Sequence, residues 1–196
     1  MILPILAYGD PVLRKKGEEI TSEYPKLDVL IENMFDTMYG ARGIGLAAPQ
    51  IGAPIRLFIV DATPFDDDET LSEAEREFVS DFKRVFINAK IIEESGDEWI
   101  FNEGCLSIPD VNEDVFRQPK ITMEYYDEKF KKHTETFDGI VARIIQHEYD
   151  HIEGILFTDK LSALKKRLIK GKLANISKGN IDVSYRMRFP MAKKKR

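Results

Sequence analysis

Apolar positions recur at helical spacing in two well-separated stretches of the chain. Leu27, Leu30, Ile31, Met34, Phe35 and Met38 follow the i, i+3, i+4, i+7 rule of an amphipathic helix, which Gly40 and Gly43 end. Ile140, Val141, Ile144 and Ile145 belong to a second helix running to Ile152, with Asp138 placed to cap its start and Gly154 to end it. A third helix, basic and amphipathic, is predicted from about Asp159 to Lys172. Between the first two helices, Ile55 to Val60 reads as a buried strand. Arg84 to Glu94, Glu98 to Asn102, Lys120 to Tyr126 and Lys129 to Phe137 are also strand-like, broken by Gly96 and by Asp127-Glu128. Helix, strands, helix in that order predicts an α+β fold, with mostly antiparallel sheets packed around the second helix. No internal repeat is visible. The residues after Lys172 have no clear period, and Lys193 to Arg196 is expected to be a flexible tail.

Charge is distributed unevenly. Residues 61–81 hold nine acids, and Ser72 with Glu75 suits a capping box at the start of a small exposed helix, so this stretch reads as an acidic surface insertion. From Leu161 to Arg196 there are twelve Lys/Arg against one acid, a net +11; with −5 overall, the remainder carries −16. So acidic a body argues against nucleic-acid binding as the main task. At 196 residues the chain fits one domain, large enough to bury ~70% of its unfolded surface. Pro4 and Gly9-Asp10-Pro11 do not resemble an export signal, and no apolar run approaches the ~20 residues of a spanning helix. A single cysteine cannot form an intramolecular disulfide. These features suit a cytoplasmic protein without a membrane partner.

Candidate chemistry centres on His147-Glu148-Tyr149-Asp150-His151. Histidines four apart lie on one helical face and can grip one metal ion, leaving Glu148 beside it to handle the proton of a bound water. A catalytic site of this kind wants a third protein ligand and an open position. The longer HExxHxxGxxH pattern fails at Phe157, and beyond Asp159 the only acid is Asp182, so the third ligand must lie upstream. His133, in a polar segment, reads as exposed strand. Cys105, preceded by glycine and followed by a polar turn, suits a thiolate presented from a loop. A lone cysteine is ordinarily inert core; beside HExxH the ligand reading is preferred. A further segment, Gly43 to Gln50, has glycines that admit close backbone approach and one amide donor, and lacks the Lys-Ser/Thr of a phosphate loop. A general HExxH peptidase and a structural zinc module that binds nucleic acid or the ribosome are the competing readings. The first should show a downstream ligand, and the second a fourth ligand and no use for Glu148.

The segments GIGLAAPQ (43–50), EGCLS (103–107) and QHEYDH (146–151), in this order and spacing, resemble the three signature segments of peptide deformylases, over about Ile5 to Leu161. The resemblance implies a catalytic domain of residues 1–160, followed by the basic helix and tail of 161–196. The implied reaction removes the formyl group from the N-terminal formyl-methionine of new polypeptides and releases formate. One divalent metal would sit on Cys105, His147 and His151, iron(II) being favoured and zinc, nickel or cobalt possible. Glu148 would take a proton from the attacking water and pass it to the leaving amine. Gln50 and the Leu106 backbone N–H would stabilise the tetrahedral oxygen, and Gly45 would let the N-formylmethionyl peptide lie along its backbone as an added strand. Ile140 and Ile144, on the His147 face of the helix, would form a methionine-sized pocket with Ile44. The basic C-terminal segment would then dock on ribosomal RNA, where such substrates emerge.

Overall fold

The computed structural model describes residues 1–191. Its elements are β1 (Ile5–Leu6), α1 (Leu27–Gly40), β2 (Gly45–Ala47), β3 (Leu57–Asp61), α2 (Glu73–Val79), β4 (Lys83–Ser95), β5 (Trp99–Cys105), β6 (Ile108–Arg117), β7 (Lys120–Tyr126), β8 (Lys132–Asp138), α3 (Gly139–Ile152), α4 (Ala163–Lys178) and β9 (Met187–Arg188). A five-stranded antiparallel sheet runs β2-β3-β4-β7-β8, a hairpin pairs β5 with β6, and β1 pairs with β9 in parallel. The fold is α+β, mostly antiparallel, as expected. No helix among the described residues is long and apolar enough to cross a membrane.

The period of two in β3 explains how α1 and α3 come to flank one sheet. Phe58 and Val60 face the cluster that includes Val141 and Ile145 of α3, whereas Leu57 and Ile59 face the cluster with Ile31, Met34 and Met38 of α1. On the α3 side, Phe58 stacks on Phe86, and Phe137 meets Phe86 edge-on. Helix α3 is thereby buried along most of its length, with Asp138 accepting from the Gly139 N–H at its start and Gly154, at φ +75°, just beyond its end. A buried helix on a rigid sheet is a suitable carrier for chemistry, because its side chains cannot drift.

Several elements differ from the sequence reading. Strand β6 was not anticipated, because charged and amide residues interrupt its apolar positions. Cys105 is the last residue of β5 instead of a loop residue, paired with Ile108 across a tight turn. Strand β8 begins at Lys132, after a turn in which Phe130 has φ +56°. The third helix spans Ala163–Lys178 instead of Asp159 to Lys172: Ser162 caps its start, and a Cβ on Gly171 in its interior would point into open space. Residues 161–191 pack on the body. Ile169, Leu173 and Ile176 share a core cluster with Leu6, Leu13, Ile108 and Val111. The tail Lys193 to Arg196 lies outside the described residues. In the acidic stretch 61–81, Ser72 and Glu75 form the capping box of α2, while Asp61 and Val79 are buried.

Candidate metal centre and cavity

One turn of α3 and the end of β5 bring the three proposed ligands together. Ligand atoms of Cys105, His147 and His151 lie within 4.8 Å of one another. The Cys105 sulfur is 3.3 Å from His151 Nε2, and the two imidazole centroids are 5.2 Å apart. His133, in contrast, is on β8, stacked on Tyr125 and bonded to Asp127.

The orientation of His147 comes from a residue that sequence reasoning passed over. Glu103, two positions before Cys105 on the same side of β5, holds His147 Nδ1 at 3.0 Å and so leaves Nε2 for a metal. Glu103 is itself gripped by Arg117 (2.7 and 2.9 Å) and Arg143 (3.0 Å), and Arg117 reaches on to Asp150 at 2.7 Å. Burial alone would raise the Glu103 pKa; the hydrogen bonds from Arg117 and His147 outweigh it and hold the carboxyl well below the usual range. Glu103, Arg117, Arg143 and Asp150 are all buried. Their only sequence signal is polar residues at positions that must face inward, legible once β5, β6 and α3 are in place.

Glu148 behaves differently from Glu103. It is buried, its Oε2 has no partner, and burial raises its pKa to about 7. Gly45 on β2 faces it. A Cβ at that position would stand 2.5 Å from Glu148 Oε1, so the glycine makes room for the carboxylate. This steric role stands beside the expectation that Gly45 lets a substrate lie along its backbone.

A cavity of about 450 Å³ opens over Cys105, His147 and Glu148. Ile44, Gly45, Gln50, Cys105, Leu106, Ile144, His147 and Glu148 line it, as do Phe101, Arg143 and Tyr185, which were not anticipated. Ile140 is absent from the wall and sits in the core between α3 and the sheet. It shares a helical face with His147, but seven residues at ~1.5 Å each put it about 10 Å further along the axis. Gln50 is buried; its Oε1 accepts from Ala47 N–H at 2.8 Å, and its Nε2 points to Ser107 Oγ at 3.3 Å and Cys105 sulfur at 3.6 Å.

The donor set fits a metal. One cysteine sulfur and two imidazoles converge, with no fourth protein ligand in the group among the described residues, beside a buried carboxylate oxygen with no partner. Hydrolysis of a small polar bond by an activated water is what this arrangement can do.

The family model of polypeptide deformylases matches residues 2–167. A peptide deformylase of Christiangramia forsetii is 69% identical over 196 residues and covers 100% of both chains, and one of Flavobacterium johnsoniae is 63% identical over the same span. The crystal structure of a peptide deformylase from Legionella pneumophila superposes with a TM-score of 0.77 at 37% identity, covering 92% of this chain and 98% of that one. The chain belongs to the polypeptide deformylase family.

Proposed function

We propose that this protein hydrolyses the formamide of N-formylmethionyl peptides and releases formate, with a divalent metal held by Cys105, His147 and His151. The observation that carries the reading is the convergence of those three donors beside the buried, unpartnered Glu148 oxygen at the wall of the cavity. A metal bound there supplies a Lewis acid that brings the pKa of a water toward ~7. Glu148 accepts the proton of the attacking water and returns it to the leaving amine nitrogen. The Gln50 amide and the Leu106 N–H donate to the oxygen on which negative charge develops. Ile44 and Ile144, with Phe101, give the methionine side chain an apolar seat. Arg117 and Glu103 keep His147 in one tautomer and one orientation.

Iron(II) is the ion proposed, on the family resemblance; a soft thiolate with two imidazoles also accommodates zinc, nickel or cobalt. A reducing, cytoplasmic setting suits a thiolate ligand. The basic C-terminal segment supports docking on ribosomal RNA through Lys166, Arg167, Lys170 and Lys172, all exposed on α4. Lys165 is instead tied to Glu113 at 3.0 Å, and the Lys166 ammonium, though exposed, donates to the Asp159 carbonyl at 2.7 Å. Truncating the helix would strip Leu173 and Ile176 from the core, so charge reversal of Arg167 and Lys170 tests the docking more cleanly. It should weaken ribosome co-sedimentation and its salt dependence. Unaltered, salt-insensitive binding would remove this role.

Formate release from a formyl-Met-peptide, with and without a chelator, tests the main reading. Release should stop on chelation and return with added metal. Cys105→Ala should lose metal and activity together; full occupancy and turnover in that variant would overturn the ligand set.

A further inference from the structure

The turn Leu106–Ser107, which follows the cysteine ligand, is held by both ends of the chain. The Ser107 carbonyl accepts from the Tyr8 N–H at 2.8 Å, just past β1, and the Leu106 carbonyl accepts the Tyr185 hydroxyl at 2.7 Å, just before β9. These two strands pair with each other, Ile5 beside Met187 and Leu6 beside Arg188. Bonds from Ile5 N–H to the Arg186 carbonyl and from Ala7 N–H to the Arg188 carbonyl, each 2.9 Å, fix their register. The same turn is gripped from a third side, where Gln50 Nε2 reaches Ser107 Oγ at 3.3 Å. The Leu106 side chain is seated as well: a Cβ on Gly43 would come within 2.7 Å of its Cδ1. Tyr185 also lines the cavity, although it lies beyond residue 167, where the family match ends.

A peptide at the tip of a hairpin turns easily about its flanking φ and ψ unless its carbonyl has a partner. The Leu106 carbonyl and N–H sit on the two peptide planes that meet at one Cα, and the first of those planes begins at Cys105. We propose that Tyr185 is a positioning residue for the reaction: by anchoring the Leu106 carbonyl, it sets the direction of the Leu106 N–H and of the Cys105 sulfur. The paired chain ends thus form a clamp on the site. The proposal rests on the deformylase reading for its kinetic part and on geometry alone for its effect on the thiolate.

Tyr185→Phe in the full-length protein keeps the ring and removes the hydroxyl. Losing one neutral hydrogen bond that orients a reacting group should lower kcat about 2- to 12-fold, with KM little changed. Melting temperature and metal content should stay near wild type. In cobalt(II)-substituted protein the thiolate-to-cobalt charge-transfer band should shift, since the sulfur is re-aimed. Wild-type kcat with an unshifted band would overturn the proposal, and so would a defect confined to KM, which would make Tyr185 a substrate contact. If the wild-type protein itself released no formate, the deformylase reading would fail instead, and the cobalt spectrum would still decide the role of Tyr185.

Discussion

Gly45→Ala separates two reasons for a glycine at this position. The added Cβ would stand 2.8 Å from the Glu148 Cγ and carboxyl carbon and 2.5 Å from Oε1. Carbon atoms pack at about 3.5–4.0 Å, so the carboxylate must retreat by roughly 0.7 Å or more. Neither backbone can give way easily: β2 is paired along its length with β3, and α3 is buried against both. The displacement therefore falls on the Glu148 side chain. A shift of about 1 Å in a group that must meet a reacting proton costs on the order of 10²-fold. The variant should lose that factor in kcat, with KM and metal content close to wild type, and should lose about 1–3 kcal/mol of stability to overpacking. Steady-state formate release, with metal analysis of the same preparation, reads all but the last. Unchanged kcat, or a loss carried by KM alone, would refute the steric argument and return Gly45 to the role of admitting substrate.

Other residues give sharper tests of the surroundings. Glu103→Ala should cut metal affinity about 10- to 100-fold by freeing His147, and destabilise by about 3–5 kcal/mol because Arg117 and Arg143 lose their buried partner; chelator competition and denaturant titration measure the two. Gln50→Ala should lower kcat by ~10²–10³ with a smaller change in KM; a KM defect alone would demote it to binding. Asp61 is buried, which would raise its pKa, but bonds from Thr63 and Tyr39 bring it below the ordinary value. Its ionised form therefore contributes stability above about pH 4, lost as pH falls through the folded value. Asp61→Asn should be less stable than wild type at pH 7, with the gap in melting temperature closing on acidification; a constant gap from pH 7 to 3 would contradict this.

The parts legible in sequence were those carried by local period or local spacing. Helices α1 and α3 show their apolar stripes directly, and two histidines four apart announce a shared face without any tertiary knowledge. Cys105 could be picked as third ligand because the chain offers few other donors. What stayed hidden depends on contacts far apart in sequence. Glu103 meets Arg117, Arg143 and His147 across 14, 40 and 44 positions, and each alone reads as an ordinary surface charge. Strand β6 was obscured for a related reason: Glu113 and Arg117 occupy inward-facing positions with partners in α4 and β5, which breaks the apolar alternation. Strands β1, β2 and β9 have two or three residues each and exist only through their pairing. Ile140 misled because a helical face says nothing about distance along the axis.

Glu148→Gln, compared with wild type for metal content and for formate release from a formyl-Met-peptide, bears on the chemistry at its centre. The substitution keeps the shape of the side chain and the Cys105, His147 and His151 donors, and removes only the ability to carry a proton. Full metal occupancy with turnover lowered by at least ~10²–10⁴-fold is the outcome that follows from Glu148 as the proton carrier. Turnover near wild type with the metal in place would mean that the proton travels by another route and that the buried carboxylate is not the base.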